Sequence, residues 1–244
     1  HGQAHGFGAD GGVSRPGTNS AKPGAAIATQ GWTAIPSGSN QFKLRPASRV
    51  NPRILVIGSS TGGPAALSKV LGALKGKLGG VPVVITQHMP PTFTTLLGET
   101  LSRLSGLEGG ETRNGETVAA GRIYVAPGGF HMRLIQVGGQ VKVALDDGPP
   151  INHCRPAVDP LFESVAQIYR GAALGVILTG MGSDGALGAV KIADAGGSVL
   201  AQDEASSVVW GMPGAAMAAG ACVGAFELEK LEERIGVMLG VKGR

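Results

Sequence analysis

The run Arg53-Ile-Leu-Val-Ile-Gly58-Ser59-Ser60-Thr61-Gly62-Gly63-Pro64 admits few folds. Branched apolar residues from Ile54 to Ile57 stop at a glycine, and two serines, a threonine, a double glycine and a proline follow. A buried strand, a tight turn and a helix start satisfy that order. Pro64 suits a first helical position, where its missing N–H costs nothing. The turn leaves small hydroxyl side chains at the carboxyl end of a strand, where open α/β sheets hold their ligands. Ser59, Ser60 and Thr61 are each candidates to react, to bind or to cap the helix.

The same grammar recurs downstream. Ala66, Leu67, Val70, Leu71 and Leu74 form a helical stripe. Residues 82–87 are a second apolar run, ending at His88-Met-Pro-Pro91, and 92–104 read as a helix opening on Thr92. Residues 111–126 suggest short strands, with 122–126 the clearest. The runs 132–137 and 141–145, around Gly138-Gly139-Gln140, suggest a β-hairpin. Val158, Leu161, Phe162, Val165 and Ile168 mark an amphipathic helix over 156–169. A strand at 174–179 ends in Gly180-Met181-Gly182-Ser183-Asp184-Gly185. A helix to about 195, a strand at 198–201, and a loop at 203–213 entering a helix come next. A strand near 221–226 and a charged helix over 227–239 close the series. Repeated strand–helix units imply parallel strands joined by right-handed crossovers. The expected fold class is α/β: a modified doubly wound, mostly parallel sheet with helices on both faces and an inserted antiparallel hairpin.

Composition sets the boundaries. Residues 1–50 are rich in Gly, Ala, Ser, Pro and Thr without periodicity and are expected to form a flexible linker, leaving 51–244 as the folded domain. Phe42, Leu44 and Val50 are candidates to dock at its end. The chain begins at His1 with no signal-peptide pattern, which reads as a fragment of a longer protein. Cys154 and Cys222 lack the spacing of a disulfide framework or a zinc site, so a reducing cytoplasm and no metal are expected. No run approaches the ~18–20 apolar residues of a membrane span, so no direct membrane insertion is expected. The net charge of +4 lies in residues 1–52, with five basic residues against one acidic, while 53–244 hold sixteen of each. Without a basic cluster carrying stacking aromatics, nucleic-acid binding is not expected.

Three strands end in glycine- or proline-bounded loops with reactive side chains: Ser60, His88 and Asp184. In a parallel sheet these ends share one edge, whatever their separation in sequence. Serine, histidine and carboxylate converging there suit acyl transfer. The hydroxyl needs a neutral imidazole to accept its proton, and the carboxylate fixes the imidazole tautomer. Backbone N–H groups within Gly180–Gly182 are candidate oxyanion donors. The turn lacks G-x-S-x-G, the G-x-G-x-x-G of dinucleotide folds and the lysine of a phosphate loop. A glycine-rich helix start can nonetheless hold an anion, so a non-catalytic anion- or nucleotide-binding module is the alternative.

The segments Gly58–Gly63, Thr86-Gln-His-Met-Pro90, Leu178–Gly185 and Glu204–Pro213, together with Ala126-Pro-Gly, His131-Met132, Asp147–Pro150 and Arg155–Asp159, resemble the chemotaxis protein-glutamate methylesterases, the CheB family. The likeness runs in order from about Arg53 to Leu239. It implies a catalytic domain with Ser60 as nucleophile, His88 as base and Asp184 as acid. It also implies a backbone oxyanion donor at Met181, with Thr61 and Gly182 beside it, and no cofactor. The implied substrates are glutamate methyl esters of methyl-accepting chemotaxis receptors, with receptor glutamine deamidation as a further activity. An N-terminal receiver domain is the implied regulatory partner. Ser59 departs from the family pattern, where a small residue such as alanine is frequent, and Ser183 departs where asparagine is common. Ser59 is thus a rival hydroxyl.

Plainer roles stand beside these. His131 reads as structural or as shaping the site rim, and His153 as a loop residue. Asp146 and Asp147 read as turn formers, and Asp203 and Glu204 as a solvated loop or helix cap. Met181 and Met212 suit either substrate contact or core packing.

Overall fold

Strand periodicity decides the architecture. The computed structural model describes residues 42–240. Its strands are β1 (Ile54–Ser59), β2 (Val83–Gln87), β3 (Glu108–Glu111), β4 (Arg122–Val125), β5 (His131–Val137), β6 (Gln140–Asp146), β7 (Ala173–Ile177), β8 (Ser198–Gln202) and β9 (Gly224–Phe226). The helices are α1 (Gly63–Ala73), α2 (Phe93–Ser105), α3 (Val158–Tyr169), α4 (Ala186–Asp194), α5 (Gly211–Ala218) and α6 (Leu228–Met238). Successive side chains of β1 point to opposite faces, so Ile54 and Val56 enter one core layer while Leu55 and Ile57 enter the other. A strand apolar on both faces needs cover on both. Leu67, Val70 and Leu71 of α1, Leu101 of α2 and Leu231 of α6 cover one side. Leu161 and Phe162 of α3, Ile192 of α4, Met212 of α5 and the hairpin residues Met132 and Val143 cover the other.

Seven parallel strands form the sheet in the order β3-β4-β2-β1-β7-β8-β9, and β5 and β6 form a separate antiparallel hairpin. From β1 the sheet runs outward through β2 and β4 to β3 on one side, β4 being inserted inside β3, and through β7, β8 and β9 on the other. The reversal falls between β1 and β7, which pair directly from Ile54–Ala173 to Gly58–Ile177. Open α/β sheets bind their ligands at the carboxyl ends of strands flanking such a reversal. The fold thereby selects the ends of β1 and β7, with β2 adjoining.

The expected α/β class and inserted hairpin are present. Two local details differ. The first short strand begins at Glu108, ahead of the expected stretch, because Glu-Gly-Gly-Glu is an edge strand with no apolar pattern to announce it. Thr92, read as a helix-opening threonine, makes no side-chain cap; its φ of 74° places it outside the helix, which starts at Phe93. Of the stretch 1–50, residues 1–41 lie outside the described residues. Residues 42–50 are tied to the α/β unit: Phe42 packs edge-on against Trp210, with ring centres 6.0 Å apart. Arg45 donates from its backbone N–H to Cys222 O and from Nε to Gly220 O, and it pairs with Asp194. Leu44 and Val50 stay exposed. Among the described residues, no helix is long and apolar enough to cross a membrane.

Candidate active site

The end of β1 separates its two serines by face. Ser59, the last strand residue, is fully buried beneath the first turn of α1. Its hydroxyl donates to Gln87 Oε1 at 2.7 Å. The amide then has its nitrogen facing the strand ends, where Nε2 donates to Ser60 O at 2.9 Å and to His88 O at 3.1 Å. Gly63 makes this packing possible, since a Cβ there would lie 2.0 Å from Gln87 Oε1. Ser60 is half-buried, one residue beyond the strand. Its N–H donates to Thr179 O at the end of β7, and its carbonyl also accepts from Gly63 N at 2.8 Å. Of the three hydroxyl residues, Ser59 is thus the fully buried one, its hydroxyl engaged by Gln87. Thr61 is exposed at the turn's tip.

His88 follows β2, its N–H donating to Ser59 O at 3.0 Å, so the base candidate and the serine turn are neighbours on adjacent strand ends. Its Nε2 lies 2.7 Å from Asp184 Oδ2. Cys154 Sγ lies 3.4 Å from its Nδ1. The structure joins His88 to Asp184 and brings Ser60 to the same edge, but no hydrogen bond links the Ser60 hydroxyl to His88 among the described residues. Cys154 occupies the nitrogen such a bond would need.

Asp184 is held by the start of α3. Val158 N donates to its Oδ2 at 2.6 Å and Asp159 N to its Oδ1 at 3.2 Å, and Asn152 Nδ2 adds a bond at 3.1 Å. The first turn of a helix carries unsatisfied N–H groups and a partial positive charge, a natural seat for a carboxylate. The residue at the cap of α3 is Ala157, which has no side-chain acceptor of its own, so Asp184 fills that role from the loop after β7. Burial pushes the Asp184 carboxyl upward, but His88 and the two α3 amides outweigh it and hold the carboxyl below its usual range. Burial likewise works against a charged His88. The bond to Asp184, with Cys154 contributing, overcomes it and raises the imidazole from 6.5 to about 9. Asp159, buried nearby and bonded to Gly188 N and Asn152, is pushed up to about 6 by burial.

The loop after β7 packs directly on the serine. A Cβ on Gly180 would lie 2.8 Å from Ser60 Cβ and 2.4 Å from Met212 Sδ. Gly180 N donates to Val209 O, and Met212 N donates back to Gly180 O. Gly180 is therefore withdrawn from the expected oxyanion donors. Among the described residues no backbone hydrogen bond uses the N–H of Thr61, Met181 or Gly182. The Met181 side chain is 70% exposed, whereas Met212 is fully buried, so only Met181 is placed to meet a substrate.

The remaining candidates are structural. His131 is buried, with Nε2 facing Pro149 O at 3.0 Å and Nδ1 accepting from Ala157 N at 3.2 Å, so both ring nitrogens are engaged by backbone. Asp146 accepts from Gly148 N in a turn, and Asp203 accepts from Ser206 N and Oγ. Among the described residues, no group of His, Cys, Asp or Glu is arranged to hold a metal. Sequence reasoning missed Gln87, Asn152 and Cys154 as site residues. Gln87 and Cys154 were visible only as neighbours of His88 and His153 in the chain, a signal too weak without the fold.

The family profile described as CheB methylesterase matches residues 55–235. The chain belongs to the CheB methylesterase family. A protein-glutamate methylesterase/protein-glutamine glutaminase of group 2 operon from Bradyrhizobium diazoefficiens is 56% identical over 194 residues, covering 80% of this chain and 49% of that one. A protein-glutamate methylesterase/protein-glutamine glutaminase from Rhodopseudomonas palustris (strain BisB5) is 50% identical over 229 residues, 92% of this chain and 60% of that one. The chain spans about half the length of the curated relatives it matches. The crystal structure of the Thermotoga maritima CheB methylesterase catalytic domain superposes with a TM-score of 0.73 at 41% identity, covering 78% of this chain and all of that one. The CheB likeness thus spans the whole sheet and every strand end that builds the site.

Proposed function

We propose that this chain is a serine hydrolase of protein carboxyl esters, acting on glutamate methyl esters of methyl-accepting chemotaxis receptors. The observation that carries the reading is the buried His88–Asp184 pair beside the Ser60 turn at the sheet's reversal point. Ser60 is the nucleophile, His88 the base and Asp184 the orienting acid. With Nε2–H held by Asp184, the imidazole keeps its lone pair at Nδ1. That nitrogen takes the Ser60 proton once the Cys154 thiol yields it. Ser60 Oγ attacks the ester carbonyl, and the resulting oxyanion is received by free N–H groups of the Met181–Gly182 and Thr61 backbone. His88 returns the proton to the departing methanol, and water activated by the same nitrogen then hydrolyses the acyl-enzyme to a carboxylate. None of these steps calls for a metal or organic cofactor.

The relatives that are both protein-glutamate methylesterase and protein-glutamine glutaminase favour a second activity of the same site. Attack on a glutamine side-chain amide releases ammonia through the same acyl-enzyme. A cytoplasmic setting and regulation by a receiver domain complete the proposal. Ser60→Ala is expected to abolish methanol release from methylated receptor while the thermal unfolding midpoint holds. Undiminished release by that variant would sink the reading, and a non-catalytic anion-binding module would take its place. Adding the unphosphorylated receiver domain of a relative should lower activity; an unchanged rate would remove that partner.

A further inference from the structure

We propose that Ser59 is a positioning residue for the reaction of Ser60, acting through the Gln87 side chain rather than through any chemistry of its own. The inference rests on the reading of Ser60 as nucleophile. A primary amide can be turned either way at little intrinsic cost, and its neighbours decide which end carries the donors. Here Ser59 Oγ, fully buried, has one hydrogen to give and places it on Gln87 Oε1. Ser60 O and His88 O can only accept, so they draw the two hydrogens of Nε2 and fix the sense of the amide, while Ser59 Oγ tethers its oxygen end. Gln87 is itself buried, so no water can substitute.

These bonds join the two residues that must cooperate. Ser60 O has two acceptor sites, and Gly63 N and Gln87 Nε2 fill both. The N–H of Ser60 is fixed on Thr179 O, so its peptide units are pinned from both sides. His88 is pinned in parallel, by its N–H to Ser59 O and by its carbonyl to Gln87 Nε2. One amide group thus sets the distance between the backbone of the nucleophile and that of the base. Without the Ser59 hydroxyl, the buried Gln87 Oε1 loses its donor and the amide loses the tether at its oxygen end. The amide can then shift, and the spacing of the two strand ends it bridges shifts with it. Misplacement of about 1 Å at a reacting pair can cost on the order of a hundredfold in rate.

The test uses the whole chain and a fluorophosphonate ester, which phosphonylates an activated serine without needing the receptor. Ser59→Ala should slow phosphonylation of Ser60 by about 3- to 10-fold, the worth of one ordinary hydrogen bond. The reagent's saturation constant should stay near that of the parent, while the unfolding midpoint falls modestly because Gln87 Oε1 is left buried without a donor. Gln87→Leu should slow it by roughly 10- to 100-fold, as loss of outer-layer support does at other sites. The decisive measurement is the double variant. If Ser59 acts only through Gln87, Ser59→Ala adds nothing in the Gln87→Leu background. Gln87→Met serves in its place should the leucine variant not fold. An unchanged rate in Ser59→Ala, a full multiplicative loss in the double variant, or an adduct on Ser59 would each overturn the proposal. Failure of the parent chain to label at Ser60 would instead overturn the nucleophile reading beneath it.

Discussion

The turn after β1 and the loop after β7 are both glycine-rich strand ends, yet they are held in opposite ways. The β1 turn is locked from within by the buried Ser59–Gln87 pair and by backbone bonds on each side of Ser60. The β7 loop is clamped only at its two ends. Gly180 is clamped by Val209 and Met212, and Asp184 by α3 and Asn152, while Met181 between them stands 70% exposed. Ser60 and Asp184, the proposed nucleophile and acid, are therefore held in place by the fold, while Met181 near Asp184 is open to solvent. Preorganised groups spend no binding energy on ordering themselves during the reaction.

That contrast can be broken most severely at the acid. Asp184→Asn should lower kcat by about 10³- to 10⁴-fold, because an amide cannot hold the reactive tautomer or balance the imidazolium. Its binding of methylated receptor peptide should change far less, and a comparable loss in both would argue against a triad role. Gly180→Ala attacks the hinge between the two strand ends. The added methyl meets both Ser60 and the Met212 sulfur, so a stability loss of about 1–3 kcal/mol is expected, with a fall in Ser60 labelling. Denaturant titration checks the first and adduct formation the second. A silent variant would mean that the loop is not braced on the serine.

The smallest effect sharpens the role of the imidazole. His88 is raised to about 9, so the base is mostly protonated at neutral pH, and kcat/KM should climb as pH rises through about 9. The stability consequence runs the other way. The folded chain binds the His88 proton more tightly than the unfolded chain does. The stabilisation is fully present below 6.5 and is lost as pH rises through about 9. Cys154→Ala removes one raising influence and the competitor for Nδ1. The rate should rise at pH 7 and its midpoint should move to lower pH, read from a pH–rate profile. A midpoint that stays put would show that the thiol is a bystander. Asp184 and Cys154 face the ring directly, and Asp159 lies behind Asp184.

Most of the architecture was legible because its strands are branched apolar runs bounded by glycine, and its helices carry regular stripes. β3 was not, since an edge strand of glutamate and glycine owes its place to neighbours rather than to its own pattern. Ser60, His88 and Asp184 could be named as strand-end residues, with the family resemblance choosing between the serines. The support around them could not. Asp184 is seated by the amides of a helix that begins 26 residues before it, and Gln87 bridges two strand ends through an amide tethered by a buried hydroxyl. Such partners are made by tertiary approach and leave no local spacing to read. The plainer role of Ser59 was recoverable in principle: alternation along β1 sends it to the α1 face with Leu55 and Ile57.

That alternation has a consequence for how the protein must fold. β1 pairs with β2 and β7 in one register, Gly58 opposite Thr86 and Ile177. A slip of a single residue would turn every side chain of the strand to the other layer. It would bury the hydroxyl of Ser60 against α1 and offer that of Ser59 in its place, without a carbonyl tether or an imidazole aligned to it. Fidelity of strand pairing and identity of the reacting oxygen are one and the same property. A misregistered molecule could be compact and still be chemically mute.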